Sequence, residues 1–146
     1  MTTTTKNASI IGYKNHLFGK ENWTRDMENM IARVSSGRPF RYVSHFQDSL
    51  VKRGLTLNDV LSVFTNGTAK VIQGHAVGTF PFSFRNVNED ELRVVYGKLS
   101  SGKVIHIVVA ISNMKLVTVY EPSQNFFESD NMTLRSRYCF KPIFAF

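Results

Sequence analysis

Ser44-His45-Phe46-Gln47-Asp48-Ser49-Leu50-Val51-Lys52-Arg53-Gly54-Leu55-Thr56-Leu57-Asn58-Asp59-Val60-Leu61-Ser62-Val63-Phe64-Thr65-Asn66-Gly67 is the stretch whose reading decides the fold. Its apolar residues Phe46 and Leu50, then Leu57, Val60, Leu61 and Phe64, recur at helical spacing. Two short helices joined at Arg53-Gly54 follow. Ser44 is placed to cap the first, and Gly54 to end it in the left-handed conformation. Thr56 is placed to cap the second, with Asp59 three residues on as in a capping box and Asn66-Gly67 closing it. His45, Lys52 and Arg53 are left as polar residues on this helical pair, either solvated surface or chemistry.

N-terminal to the pair, residues 1–22 are polar around a small apolar island of Ile10, Ile11, Tyr13, Leu17 and Phe18, which reads as a flexible arm. From Thr24 to Val34, Met27, Met30, Ile31 and Val34 mark one face of a helix, and methionines there read as core filler. Ser35-Ser36-Gly37 stops it. Arg38 to Val43 is extended, because Pro39 biases its predecessor away from helix.

After the pair the period changes. Ala69 to His75 reads as a strand. Phe80 to Arg85 alternates aromatic with small or polar residues, but Pro81 demotes it to an edge or irregular strand, and Asn86 to Asp90 is a turn. Leu92–Leu99, Lys103–Ile111 and Lys115–Glu121 are clearer strands. The links between them, Ser100-Ser101-Gly102 and Ser112-Asn113-Met114, are of hairpin length, so neighbours run antiparallel. Val104 to Ile111 is nearly all apolar, as a central strand covered on both faces must be. The expectation is one α+β domain over residues 23–122, with N-terminal helices packed on a twisted antiparallel sheet. Residues 123–146 end in a Phe-rich tail. They are expected to extend the sheet or pack on it, since an exposed tail of that kind would aggregate.

At 146 residues the chain can bury a real core, and its twelve phenylalanines suit a folded protein. No apolar run approaches a membrane span, and the first six residues lack the apolar centre of a secretory signal. The single cysteine, Cys139, excludes an internal disulfide and a cysteine metal cluster, so a reducing, cytoplasmic setting is expected. The net charge of +7 is unevenly placed: residues 1–73 carry ten Lys/Arg against five Asp/Glu, and residues 74–146 carry eight against six. Arg33, Arg38, Arg41, Lys52 and Arg53 face only Asp48 within that span. Such a patch favours a polyanion, nucleic acid first, against the plainer reading of a basic soluble surface.

The four histidines, at 16, 45, 75 and 106, show no metal-ligand spacing, and no phosphate-binding glycine loop or serine-nucleophile elbow is present. No cofactor or metal is expected. What remains suits RNA cleavage, in which the 2′-hydroxyl attacks the adjacent phosphate, a base and an acid move protons, and arginine or lysine meets the charge. His45, Arg53, Lys98, His106 and Tyr120 are the candidate catalytic inventory, with Arg38, Arg41 and Lys52 as candidate contacts to an RNA backbone. Each has a structural alternative. His45 can be a plain first-turn residue, and Arg53 can serve the carbonyls at its helix end. His106 can be a neutral core histidine, while Tyr120 and Lys98 can be ordinary strand residues. A non-catalytic alternative also stands: a basic module binding RNA or protein, with Phe80, Phe82 and Phe84 as stacking surfaces.

The chain also resembles a known family. Ser44-His45, Arg53-Gly54-Leu55, Asp59-Val60 and Asn66-Gly67 resemble the opening motif of the DUF4258 domain family. Val95-Tyr96-Gly97-Lys98, Gly102-Lys103, His106 to Ala110 and Thr118 to Pro122 follow in the same order, so the resemblance spans roughly residues 40–122. That family is similar to the RelE-like and BrnT-like toxins of the barnase–EndoU–colicin–RelE group of metal-independent ribonucleases. The resemblance implies helices on a four- or five-stranded antiparallel sheet, with His45 and His106 as active-site groups. It further implies an RNA substrate (tRNA, mRNA or the ribosome) and an antitoxin or immunity protein as partner. Family members often carry an arginine four residues after the first histidine; this chain has Ser49 there.

Overall fold

The structure, a computed structural model, describes residues 16–78 and 90–136. The expected strand over 80–85, most of the turn over 86–90, Cys139 and the Phe-rich end over 137–146 lie outside the described residues. In chain order the elements are α1 (Trp23–Ser35), β1 (Arg41–Tyr42), α2 (Ser44–Arg53), α3 (Leu57–Ser62), β2 (Lys70–His75), β3 (Leu92–Lys98), β4 (Val104–Ala110) and β5 (Lys115–Tyr120). The fold is mixed α+β, with a five-stranded open sheet of order β1-β5-β4-β3-β2.

The sheet is not antiparallel throughout, and this corrects the sequence expectation. β1 pairs parallel to β5, with Arg41 opposite Lys115 and Tyr42 opposite Leu116. Only two residues of the extended stretch after Pro39 enter the ladder before α2 begins, too few to register as a strand by alternation. Ser44 is a second correction. The residue in the cap position is Val43, extended at φ −93° and ψ 161°, and no side chain caps α2. Ser44 is already helical. Gly54 ends α2 at φ +67°, and Thr56 and Asp59 form a reciprocal capping box, but α3 stops at Ser62 with Val63 at its C-cap, so Asn66-Gly67 belongs to the turns that follow and does not close the helix.

Alternation along the strands splits the core in two. Val95, Ile107, Val109, Leu116 and Val119 face the helices and pack with Met30, Phe46, Val60 and Phe64. Val94, Val108 and Ala110 face the other way and pack with Tyr120, Phe127 and Leu134. The nearly all-apolar β4 therefore has two covers: helices on one side, residues 123–136 on the other. That second cover is held by an antiparallel bridge between Phe127 and Leu134 and by the Arg135–Glu128 ion pair at 3.0 Å.

Two further contacts join the N-terminal residues to the sheet. Residues 16–22, assigned by sequence to a flexible arm, carry a parallel bridge from Leu17 to Gly74, and the Gly74 N–H donates to the His16 carbonyl at 2.9 Å. A Cβ on Gly74 would lie 2.0 Å from the Phe18 carbonyl oxygen, so only glycine admits this approach. Arg93 is the other surprise, a charged strand residue with 1 % exposure. Its Nε donates to Asp26 Oδ2 on α1 at 2.9 Å and its Nη2 to Glu91 Oε1 at 2.9 Å. Burying this guanidinium is tolerable because two carboxylates pair it.

Candidate functional site

α2 lies along the edge of β5 where β1 stops. The Val43 N–H still donates to the Leu116 carbonyl at 3.3 Å; beyond that point the chain turns helical, and a side chain takes over. Ser49 Oγ accepts the Val119 N–H at 3.3 Å while donating to the Phe46 carbonyl at 2.7 Å. One small hydroxyl thus satisfies a strand-edge donor and fixes the helix against the sheet. Ser49 is buried. The position at which the family resemblance leads one to expect arginine is here a suture between helix and strand.

The same edge holds a cleft of about 240 Å³. From α2 it is lined by His45, Asp48, Ser49, Lys52 and Arg53, and from β5 by Thr118 and Val119. The helical residues stand at i, i+3, i+4, i+7 and i+8, which is one stripe of an α-helix. His45, Asp48 and Lys52 are exposed and Arg53 is half-buried. The Nε–H of Arg53 is buried and has no acceptor among the described residues. A buried guanidinium N–H without a partner is costly, and an anion that reached it would relieve that cost. Lys52 stands one turn after Asp48, yet no ion pair joins them, so its ammonium is not neutralised by the cleft's own carboxylate.

The structure brings His45, Lys52 and Arg53 together and leaves the rest of the inventory elsewhere. His106 is fully buried on the sheet face away from the helices, where its ring meets Phe127 edge-on at 4.8 Å. Its Nε2 lies 2.6 Å from the Asn131 carbonyl, and its Nδ1 lies 3.2 Å from the Tyr120 hydroxyl. A carbonyl only accepts, so Nε2 carries the proton, and the Tyr120 O–H donates to Nδ1. Burial drives the His106 pKa down to about 4, against a smaller upward push from the Asn131 carbonyl. Burial also raises the Tyr120 hydroxyl well above its usual value. The pair is a neutral clamp between β4, β5 and residues 123–136.

Lys98 is exposed at the end of β3. It is two strands over from the cleft and about four residues further along, roughly 16 Å away. Its backbone carbonyl accepts from Asn66 Nδ2 at 2.9 Å, which anchors the turn after α3. Arg38 and Arg33 line a separate 460 Å³ hollow beside Met114, and Arg41 is exposed on β1. Sequence reasoning missed Asp48, Ser49, Thr118 and Val119. The first two were accessible as the i+3 and i+4 companions of His45. No local signal marks the strand pair, because helix-to-strand packing selects it.

Among the described residues no three metal-ligating side chains cluster, and no helix is long and apolar enough to cross a membrane. Residues 42–121, more than half of the chain, match the family described as a domain of unknown function, DUF4258. No curated protein and no solved structure matches the chain.

Proposed function

The chain belongs to the DUF4258 family, and we propose that it is a metal-independent endoribonuclease of the RelE/BrnT-like group, acting at the cleft between α2 and β5. One observation carries this reading: histidine, lysine and an arginine with an unsatisfied buried N–H line one concave site. Lys52 and Arg53 would hold the scissile phosphate and meet the charge that builds on its oxygens. A carboxylate accepts protons and does not supply them at neutral pH, so Asp48 takes the base role and His45 the acid role. Asp48 removes the 2′-hydroxyl proton as the O2′–P bond forms. His45 protonates O5′ as the P–O5′ bond breaks. The products are a 2′,3′-cyclic phosphate and a 5′-hydroxyl. His106 and Tyr120 have no part in this assignment, which replaces the two-histidine scheme implied by the resemblance.

The test is incubation of the purified protein with RNA in EDTA. Cleavage leaving 2′,3′-cyclic phosphate ends is expected, with H45A and R53A each slower by about 100-fold. Wild-type rates in both variants would remove the cleft from the chemistry. A second reading, a non-catalytic RNA-binding module, is favoured by the burial of His106 and Tyr120, which leaves one histidine at the cleft. Salt-dependent RNA binding without cleavage selects it.

A further inference from the structure

We propose that Arg41 and Lys115 continue the cleft as a backbone track for single-stranded RNA along the β1–β5 edge. This rests on the ribonuclease reading above and names the form of its substrate. The strand register carries the argument. Lys115 is opposite Ala110, and Thr118 is opposite Val108. Ala110 and Val108 both belong to the core on the sheet face away from the helices, so Lys115 and Thr118 share that face. Arg41, opposite Lys115 in the parallel ladder, is on it too. The irregularity between Val108 and Val109 absorbs one residue, and this returns Lys115 to the side on which Thr118 borders the cleft.

From Lys115 to Thr118 is three residues of strand, about 10 Å. At a strand rise of about 3.4 Å, that is the reach of roughly three stacked nucleotides. Arg41 and Lys115 therefore stand at one end of a row that Lys52 and Arg53 close at the other. The cations of the row are open to an external anion, as are most of the described lysines and arginines. Arg93, Lys103 and Arg135 are each held in ion pairs, whereas among the described residues none of these four cations is. Asp48 is the one carboxylate among the cleft's lining residues, against Lys52 and Arg53. β1 is the outer strand of the sheet, and no further strand pairs beyond it among the described residues. The single-strand preference comes from the chemistry. Attack by O2′ needs O2′, phosphorus and O5′ in line, and a stacked duplex holds them off that line, whereas an unpaired strand can bend into the cleft.

The probe is a short fluorescent 2′-O-methyl oligouridine, followed by anisotropy at a series of salt concentrations. Its blocked 2′-oxygen prevents cleavage, so binding is read apart from catalysis. The wild type is expected to bind with a steep salt dependence. The R41A/K115A double variant should lose about 1.4 from the slope of log K against log salt, at about 0.7 per phosphate contact, while R41K/K115R keeps the slope. An unchanged melting temperature shows that the fold is intact. A double variant with the wild-type slope overturns the track, as does equal affinity for the same strand in a duplex. No affinity for either RNA at low salt also overturns it and points to a protein ligand instead. The two readings fail separately: His45-dependent cleavage with a normal slope in the double variant sinks only the track, and a track without cleavage sinks only the chemistry.

Discussion

His45 and His106 sit on opposite sides of the same small domain and have opposite fates. His45 is exposed at the start of α2, beside a lysine, an arginine and an aspartate in a cleft. His106 is sealed between β4, β5 and residues 123–136, with both ring nitrogens in hydrogen bonds. The difference lies in what covers each element. A helix at a sheet edge buries only one stripe, so the flank of α2 stays open to solvent. A central strand has no flank, and every side chain on β4 must go under one cover or the other. The same residue type is therefore available for chemistry in one place and serves as mortar in the other.

This contrast can be broken from the covered side first. Phe127 is fully buried against His106, so F127A should remove the largest part of that cover and cost about 3–5 kcal/mol in urea unfolding. A loss below about 1 kcal/mol would mean that residues 123–136 rest on the sheet without stabilising it. Acid is the next lever. The folded-state pKa of His106 is about 4 against 6.5 for the free side chain, so protonation favours the unfolded chain. Its stabilising share is complete above pH 6.5 and is lost as pH falls from there to about 4, a change of about 3 kcal/mol. His75, at about 3 through burial and the neighbouring His16 and Arg93, adds a loss of the same sign over a window reaching lower. Urea midpoints should drop between pH 7 and pH 5, with a shallower drop in H106Q. A flat profile would show His106 to be solvated rather than sealed. The smallest effect is at the edge. S49A leaves the Val119 N–H without its acceptor, which should cost about 1–2 kcal/mol and speed hydrogen exchange at Val119. An unchanged exchange rate would show that α2 is held to β5 by packing alone.

Much of the fold was legible because local rules and tertiary packing agree. The Thr56–Asp59 box, the left-handed Gly54 and the three hairpin-linked strands each follow from a short window of sequence. Where they disagree, sequence reasoning failed. Ser44 has the composition of a cap, but the backbone of Val43 occupies the cap position, so the helix begins one residue earlier than the cap reading requires. The parallel β1–β5 pair joins residues far apart in sequence, and a two-residue strand has no period to read. Arg93 looks like a surface residue in its strand, since nothing nearby announces Asp26 as its partner.

The site was half legible for the same reason. His45, Lys52 and Arg53 belong to one helical stripe, and periodicity alone groups them. His106 and Tyr120 also form a true pair, as their antiparallel register demands. What periodicity could not supply was which face of the sheet the pair occupies relative to α2. That depends on the parallel return of β1, which sets α2 along the β5 edge rather than over the middle of the sheet.

The strand order also has a consequence for the life of the chain during synthesis. Among the described strands, β1 is the first to leave the ribosome and lies beside β5, the last. α2 can coil early, but the strand that supplies Thr118 and Val119, and the backbone N–H that Ser49 holds, emerge only when nearly all of the sheet has been made. Long-range pairings of this kind close late because their loop entropy must be overcome first. The nascent chain would therefore carry its polar stripe without a cleft, and any RNA-directed activity would be latent until β5 is complete.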